Sequence, residues 1–259
     1  MSVRDTPWPA GTPCWVDLTV ADVDGARLFY EGLFGWSIDA GRPEFGGYAV
    51  CQKDGRQVAA IVPKVSAEHP SVWTTYLATV DVHASAARIT ENGGRLLFEP
   101  MAIMDLGAMA LAHDPAGVRF GLWQAGRTTG IQLANEPGAM IWNEQLSTDW
   151  ASSKAFYGSV LEVDFNDLSS DEYPYSTIRI GGRDVGGLGA AEQGQGSWSV
   201  YFAVENADQL VAQVVKLGGN VIKSARESPF GRIATVSDPE GAEFSVLATP
   251  AEGYDDESD

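Results

Sequence analysis

Hydrophobic and polar residues alternate near the start of the chain and then change to a helical spacing. Val16, Leu18 and Val20 face one way, which is the two-residue period of a half-buried strand. Asp22 follows as a helix-capping residue, and apolar positions then recur every three or four residues until about Gly35. We therefore expect a strand followed by an amphipathic helix.

The same order of elements is predicted twice in each half of the chain. In the first half, short strands around 48–52 and 58–62 follow the helix. A second strand at 75–80 then precedes a second helix at 83–92, and the last strands flank the Asp-Pro-Ala-Gly turn at 114–117. The pattern predicts a βαβββ unit repeated four times, the third and fourth units running through residues 140–191 and 197–248.

Several short motifs recur in the second half in the same order. Asp-(x)6-Phe-Tyr begins at Asp22 and again at Asp149. A tyrosine, a Gly-Gly pair and an Asp-Pro-x-Gly turn follow in each half: Tyr76 and Tyr201, Gly93-Gly94 and Gly218-Gly219, 114–117 and 238–241. Such collinear repeats indicate a duplication. We predict an α+β protein with one domain at 1–125, an exposed linker at 126–137, a second domain at 138–249 and an acidic tail at 250–259.

The amino-acid composition limits the classes of partner that this chain is expected to bind. The 35 acidic and 17 basic residues give a net charge of -18, which repels phosphate backbones and anionic lipids, so neither nucleic acid nor a membrane is expected. No basic start followed by an apolar stretch resembles a signal peptide, so a cytoplasmic protein is predicted. Cys14 and Cys51 are too few for a disulfide framework and are interpreted as buried free thiols.

The strand-Asp-(x)6-Phe-Tyr opening, the Gly-Gly helix end and the Asp-Pro-x-Gly turn together resemble the vicinal-oxygen-chelate superfamily, which includes glyoxalases, bleomycin resistance proteins and dioxygenases. Residues 13–17 and 141–144, each followed by a Phe-Tyr pair, look like the two-domain glyoxalase-like proteins of actinobacteria that are often called hydroxylases. The resemblance implies curved mixed sheets, each built from two βαβββ units, with helices outside and a small molecule in the cleft.

The resemblance also implies a divalent metal ion held by His, Gln or Glu on the first and last strands of paired units. The residues at those positions have the wrong chemistry for such a site. They are Trp15, Thr75 and Gly121 in the first half, and Trp142, Ser199 and Ser245 in the second. We therefore predict no metal site and no cofactor.

Strand alternation predicts which side chains face the clefts instead. Trp15 and Asp17 point inward in the first half, and Trp142 and Glu144 do so in the second. The companions predicted by the same alternation are Thr75, Leu77, Thr79, Arg119, Gly121 and Trp123, and Ser199, Tyr201, Glu243 and Ser245. Tyr48 and Tyr175 are predicted at the rims, and Trp73 and Trp198 at the entrances. These aromatic and polar residues are candidate ligand contacts.

Three functions are compatible with these residues. The first is metal-independent binding of a hydrophobic or aromatic metabolite or antibiotic by aromatic clefts. The second is a cofactor-free enzyme of the lyase, hydrolase, isomerase or hydroxylase-like type, with Asp17 or Glu144 as acid or base, because burial beside tryptophan raises a carboxyl pKa. The third is a metal-dependent glyoxalase or dioxygenase with displaced ligands. The tryptophans equally fit a role of filling space. A monomer is expected, and a homodimer is the alternative.

Overall fold

The computed structural model describes residues 2–41, 43–66, 68–171, 173–191 and 196–249, so the predicted acidic tail lies outside the described residues. Within them the chain forms one sheet of nine strands and one of ten. The elements up to the end of the first half are β1 (Ser2–Val3), β2 (Pro13–Val20), α1 (Val23–Phe34), β3 (Ser37–Ile38), β4 (Ala49–Lys53), β5 (Arg56–Pro63), β6 (Val72–Thr79), α2 (Val82–Glu91), β7 (Arg95–Leu96), β8 (Met101–Ile103), β9 (Gly107–His113) and β10 (Arg119–Ala125).

The second half repeats this order of strands and helices, except that one longer strand, β17, takes the place of β7 and β8. Its elements are β11 (Leu133–Ala134), β12 (Met140–Ser147), α3 (Trp150–Leu161), β13 (Asp164–Asp167), β14 (Tyr175–Ile180), β15 (Arg183–Ala190), β16 (Ser197–Ala203), α4 (Ala207–Lys216), β17 (Asn220–Ser228), β18 (Gly231–Ser237) and β19 (Glu243–Ala248). The predicted α+β architecture, with an order of strands and helices that is repeated in the two halves, is confirmed.

Both sheets have the same strand order. The first runs β3-β4-β5-β2-β6-β10-β9-β7, and the second runs β13-β14-β15-β12-β16-β19-β18-β17. In each, the two central strands are antiparallel, and each central strand has a parallel neighbour on its other side. Each sheet is therefore a mixed sheet made of two units joined at its centre.

The repeated aspartates begin the helices, as predicted. The side chain of Asp22 accepts a hydrogen bond from the backbone N–H of Gly25, and Asp149 accepts one from Ser152. Helix α1 ends at Gly35 in the left-handed conformation (φ 66°), which glycine adopts without strain. None of the helices in the described part of the chain has the length and hydropathy needed to cross a bilayer.

The repeated motifs also join the two halves to each other. Tyr30 of α1 donates a hydrogen bond to Asp238 of the second half (3.3 Å) and accepts one from the Trp73 indole (3.2 Å). Phe29 lies so close to Gly219 that a side chain there would press on its ring. The first helix of one half is thus held against the Gly-Gly and Asp-Pro-x-Gly motifs of the other.

The reciprocal contact completes the interface. Tyr157 of α3 donates to Asp114 of the first half (3.1 Å) and accepts from Trp198 (2.9 Å). Phe156 packs beside Gly94, where any side chain would meet it. Two buried hydrophobic cores, each built from residues of both halves and rich in aromatic side chains, therefore lie on the helix side of the sheets.

The segment between the halves is less exposed than predicted. Ile131 is fully buried, and β11 pairs in parallel with β12 and antiparallel with β1. The first strand of the chain therefore joins the sheet of the second half. The prediction of an exposed crossing is wrong for this part, because its backbone is used in a sheet.

Candidate functional site

The face of each sheet that looks away from the helices carries a cluster built around a carboxyl group. In the first sheet, Asp17 of β2 accepts a hydrogen bond from the Tyr76 hydroxyl of β6 (2.8 Å). The indole N–H of Trp15 donates to the Tyr48 hydroxyl beside β4 (2.7 Å). We call these four residues the first cluster. They come from the adjacent strands β2 and β6 and from the start of β4, which is separated from β2 by β5. Asp17 is only 5% exposed.

Burial governs the ionisation of this cluster. It raises the pKa of Asp17 to about 6, against the opposing effects of the Tyr76 hydrogen bond and the charge of Arg119. It also raises the pKa values of Tyr48 and Tyr76 well above their usual range, and the negative charge of Asp17 raises both further. The phenols therefore stay protonated, while Asp17 titrates close to neutral pH.

The second sheet carries the matching arrangement. Glu144 of β12 accepts hydrogen bonds from Tyr201 of β16 (2.5 Å) and Tyr175 of β14 (3.2 Å), and the Trp142 indole donates to Tyr175 (3.2 Å). These four residues are the second cluster. Ser199 lies opposite Glu144 on the same face.

The carboxyl group of the second cluster is also perturbed. Desolvation raises the pKa of Glu144, while hydrogen bonds from Tyr201 and Tyr175 and the charges of Lys223 and Arg226 oppose that rise. Burial and then the charge of Glu144 raise the pKa values of both tyrosines. Each cluster therefore has carboxylate oxygens that can accept a further hydrogen bond, while its indole N–H is already donated to a tyrosine.

Tyr76 is the one residue of the first cluster that the sequence does not predict as a site residue. A register shift between Pro13 and Trp15 places Tyr76 opposite Trp15 and on the same face as Asp17. The repeat contains a signal for this position, because Tyr76 corresponds to Tyr201, which strand alternation places inward.

The predicted inward direction of Thr75, Leu77 and Thr79 is wrong for the same reason. The hydroxyl of Thr75 donates to Asn143 across the two halves (2.7 Å), and Leu77 is buried in an aromatic cluster of the interior. Thr79 hydrogen-bonds beside the start of α2. All three lie on the helix-bearing face.

Trp73 and Trp198, predicted at the cleft entrances, also lie in the interior. Each is nearly buried and donates its indole N–H to the tyrosine of a Phe-Tyr motif. Alternate side chains of a strand point to opposite faces of the sheet, so Asp17 points away from the helices while Trp73 and Trp198 point toward them. Neither can contact a ligand on the cluster side.

Arg119 and Trp123 of β10 lie on the helix-free face, as predicted from alternation. Arg119 is close enough for its charge to act on Asp17. Trp123 donates its indole N–H to the carbonyl of Thr128 (3.0 Å). Together with Trp8 it lines a cavity of about 250 Å³ beside the ends of β6 and β10.

Comparisons with known proteins agree with this architecture. The family model described as "Glyoxalase/Bleomycin resistance protein/Dioxygenase superfamily" matches residues 14–122, and the model described as "Glyoxalase-like domain" matches residues 144–247. The "Putative glyoxylase CFP32" of Mycobacterium tuberculosis is 38% identical over 246 residues, covering 92% of this chain and 94% of that protein. The chain belongs to the glyoxalase/bleomycin resistance protein/dioxygenase superfamily.

Other members of the superfamily show the same full-length similarity. The "Anthracycline biosynthesis protein DnrV" of Streptomyces peucetius is 34% identical, with 96% of this chain and 97% of that protein covered. These relatives confirm the resemblance to two-domain proteins of actinobacteria.

The Mn(II)-bound glyoxalase of Novosphingobium aromaticivorans has a TM-score of 0.66 at 16% identity, covering 96% of this chain and 84% of that one. The 2,3-dioxygenase LapB of Pseudomonas sp. KL28 has a TM-score of 0.63 at 14% identity, covering 98% and 97%. These structures share the fold.

The superfamily metal does not fit the residues present at its positions. Trp15 uses its only polar atom to donate a hydrogen bond, and Gly121 has no donor side chain. The Tyr76 ring fills the space that a side chain at Gly121 would need. Across the described ranges, no three His, Cys, Asp or Glu side chains come together as a metal site. We therefore derive no chemistry through a metal ion.

Proposed function

We propose that this chain binds a planar, hydroxylated aromatic metabolite on the helix-free faces of its sheets, without a metal ion. The observation that carries the proposal is the carboxyl group held by tyrosine in both clusters. Asp17 with Tyr76, and Glu144 with Tyr201, are the same arrangement at corresponding positions. A buried carboxylate with oxygen lone pairs to spare is a strong acceptor for a ligand hydroxyl.

The aromatic neighbours suit the flat part of such a ligand. Trp15 and Tyr48 in one cluster, and Trp142 and Tyr175 in the other, are locked by indole-to-phenol hydrogen bonds. Rings that are already fixed lose little conformational freedom when a second ring packs against them. The clusters can therefore combine aromatic packing with one charge-assisted hydrogen bond.

The names of two relatives support the aromatic class. The relatives from Streptomyces peucetius and Streptomyces sp. strain C5 are both called anthracycline biosynthesis proteins. Anthracyclines are polycyclic aromatic compounds with phenolic hydroxyl groups. A cluster that accepts a hydrogen bond beside tryptophan and tyrosine rings matches that chemistry.

The test compares two aromatic probes in buffer containing EDTA. Calorimetric titration with 2-naphthol, which has a hydroxyl donor, is set against 2-methoxynaphthalene, which has none. We expect Asp17→Asn or Glu144→Gln to weaken 2-naphthol binding about five- to ten-fold, since a neutral acceptor forms a weaker hydrogen bond. The matched control is Asp24→Asn, whose side chain is 88% exposed on α1. Equal affinity for both probes, unchanged affinity in both cluster variants, or binding that requires added metal would overturn the proposal.

A second candidate function is acid–base catalysis without a cofactor, of the lyase, hydrolase or isomerase type. The observation in its favour is the pKa of Asp17, which burial raises to about 6, near the value useful to a proton-transferring group at neutral pH. Its test is product formation from hydroxylated polycyclic aromatics in EDTA, followed by mass spectrometry. Asp17→Asn should abolish turnover, a far larger effect than its expected five- to ten-fold weakening of aromatic binding. Turnover that survives this substitution at saturating substrate rules out Asp17 as the acid or base.

A further inference from the structure

A row of polar side chains crosses the first sheet beside Asp17. Thr74 of β6 lies opposite Asp17 of β2. Gly121 of β10 lies opposite Tyr76 of β6. Two residues back along these parallel strands, the same register brings Arg119 beside Thr74. Thr74 and Arg119 therefore share the helix-free face with Asp17, because side chains two residues apart on a strand point the same way.

Two polar atoms of this row are buried without a hydrogen-bond partner in the part of the chain that the structure describes. They are Oγ1 of Thr74 and Nε of Arg119. Thr74 is 1% exposed, whereas Arg119 is half-buried, so the row reaches solvent at the arginine. Buried polar atoms are nearly always hydrogen-bonded, because burial removes their hydrogen bonds to water. These two atoms therefore mark a place where an acceptor group of a ligand can bind.

The residues on either side of Arg119 do not supply that acceptor. Asp17 accepts a hydrogen bond from Tyr76, and β6 separates it from the strand of Arg119. On the other side, His113 of β9 lies opposite Arg119. An arginine can only donate, so Nδ1 of His113 accepts from Arg95 (2.9 Å). The Nε donor of Arg119 is therefore left for a group above Thr74.

The charges of this row indicate which kind of acceptor fits. Asp17 and Arg119 carry opposite charges, and the charge of Arg119 lowers the pKa of Asp17 against the larger effect of burial. A neutral ligand keeps that balance, whereas an anion would be repelled by Asp17 and would lose its hydration. A carbonyl oxygen is neutral and has two lone pairs, one for each donor. The row therefore favours a carbonyl group over a carboxylate.

The second sheet has a different residue at the position that corresponds to Arg119. Ser245 of β19 lies opposite Tyr201 of β16, as Gly121 lies opposite Tyr76. Two residues before Ser245, the place of the arginine is taken by Glu243. An ionised carboxylate accepts hydrogen bonds and donates none. A preference for a carbonyl group is therefore expected of the first cluster and not of the second.

We propose that the first cluster binds a neutral aromatic compound that carries both a hydroxyl and a carbonyl group: Asp17 accepts from the hydroxyl, while Thr74 and Arg119 donate to the carbonyl oxygen. This rests on the proposed function of aromatic binding and adds the second functional group of the ligand. Strands β2 and β10 are two steps apart, about 10 Å in a flat sheet. Hydrogen bonds of about 2.8 Å at both ends leave about 4–5 Å between the ligand oxygens, which is close to meta substitution on one ring.

The experiment uses two planar probes that differ only in the carbonyl group. 2-Hydroxyfluoren-9-one has its carbonyl meta to the hydroxyl, and 9H-fluoren-2-ol has a CH2 group in the same place. Both are titrated into the full chain by calorimetry in buffer containing EDTA. We expect the ketone to bind about ten-fold more tightly, the effect of one or two added hydrogen bonds.

Substitutions assign this preference to the row. Thr74→Val and Arg119→Met should each reduce it, and the double variant should bind both probes equally. Thr74→Val should not lower the melting temperature, because no hydrogen bond within the described chain is lost. Asp17→Asn should weaken both probes. The matched control Arg127→Met removes the same charge from a side chain that is 71% exposed, and it should keep the preference.

The outcomes separate the two proposals. If the probes bind with equal affinity and Asp17→Asn weakens both, the carbonyl site is wrong and aromatic binding stands. If the double variant keeps the preference, or Arg127→Met loses it as fully, the assignment to Thr74 and Arg119 is wrong. If neither probe binds at millimolar concentration, both proposals fail. Circular dichroism checks that each variant is folded, and the two single variants decide the assignment if the double variant is not.

Discussion

The Tyr157 hydroxyl of the second half donates a hydrogen bond to the Asp114 carboxylate of the first half, 3.1 Å away. Tyr30 and Asp238 make the reciprocal contact. Both aspartates also accept backbone N–H groups within their own turns. The turn motif of each half is thereby completed by the helix of the other, so the duplicated motifs hold the two domains together.

This reciprocity predicts a cost of removing either tyrosine hydroxyl. Tyr157→Phe leaves a buried aspartate without one of its donors, and we expect a loss of about 1–3 kcal/mol in the free energy of unfolding. Tyr30→Phe should have a similar effect. Urea unfolding followed by circular dichroism measures both. Asp24→Asn, at a side chain that is 88% exposed, is the control and should change stability by less than about 0.5 kcal/mol. Equal stability of all three variants would contradict the structural role.

Asp17 predicts a pH dependence of stability. Burial raises its pKa from 3.8 to about 6, so the folded chain keeps a proton that the unfolded chain has already released. The contribution of Asp17 to stability therefore falls as the pH rises from about 4 to 6, by about 3 kcal/mol in all.

Asp17→Asn isolates that contribution from those of other carboxyl groups. Between pH 5 and pH 8, the original chain should lose about half of this total because Asp17 loses its proton, and Asp17→Asn should not show that loss. Urea unfolding at both pH values measures the difference. Asp24→Asn, at an exposed site, should follow the original chain. Identical pH profiles for the original chain and Asp17→Asn would show that Asp17 has an ordinary pKa.

Strand alternation predicted the direction of Asp17 and Glu144 because a two-residue period is a local property of one strand. Alternation gives the wrong face for Thr75 on the neighbouring strand β6. The register shift between Pro13 and Trp15 decides whether Tyr76 or Thr75 shares a face with Asp17, and alternation within β6 cannot reveal it.

The contacts between halves were beyond sequence reasoning for a different reason. The recurrence of Phe-Tyr and Asp-Pro-x-Gly shows that a unit is duplicated, but it does not show which copy contacts which. Only the fold reveals that Tyr30 reaches Asp238 of the other half. The predicted place of Trp73 and Trp198 at the cleft entrances is wrong for the same reason, since their hydrogen-bond partners are Tyr30 and Tyr157.

Gly121 predicts a steric test of the first cluster. Because the Tyr76 ring occupies the space of a side chain at this position, Gly121→Ala should displace the ring and cost about 1–3 kcal/mol of stability. The displaced Tyr76 should also weaken its hydrogen bond to Asp17, so the pH dependence should change with it. Gly32→Ala in α1 is the control, since its new methyl group meets only the flexible Leu217 side chain at 3.3 Å. A fully stable Gly121→Ala protein with the original pH profile would show that the ring does not sit there.

The side chains of both clusters predict that divalent metal ions do not change the stability of the chain. A catalytic site of this superfamily needs about three protein donors, and the positions that would supply them hold Trp15, Gly121, Trp142 and Ser245. Elemental analysis of freshly purified protein should find far less than one Mn, Fe, Ni or Zn per chain. EDTA or added MnCl2 should leave the melting temperature unchanged, because an ion that binds the folded state tightly would raise it. One metal ion per chain, released by EDTA with a fall in melting temperature, would instead show that the donors come from residues outside the two clusters.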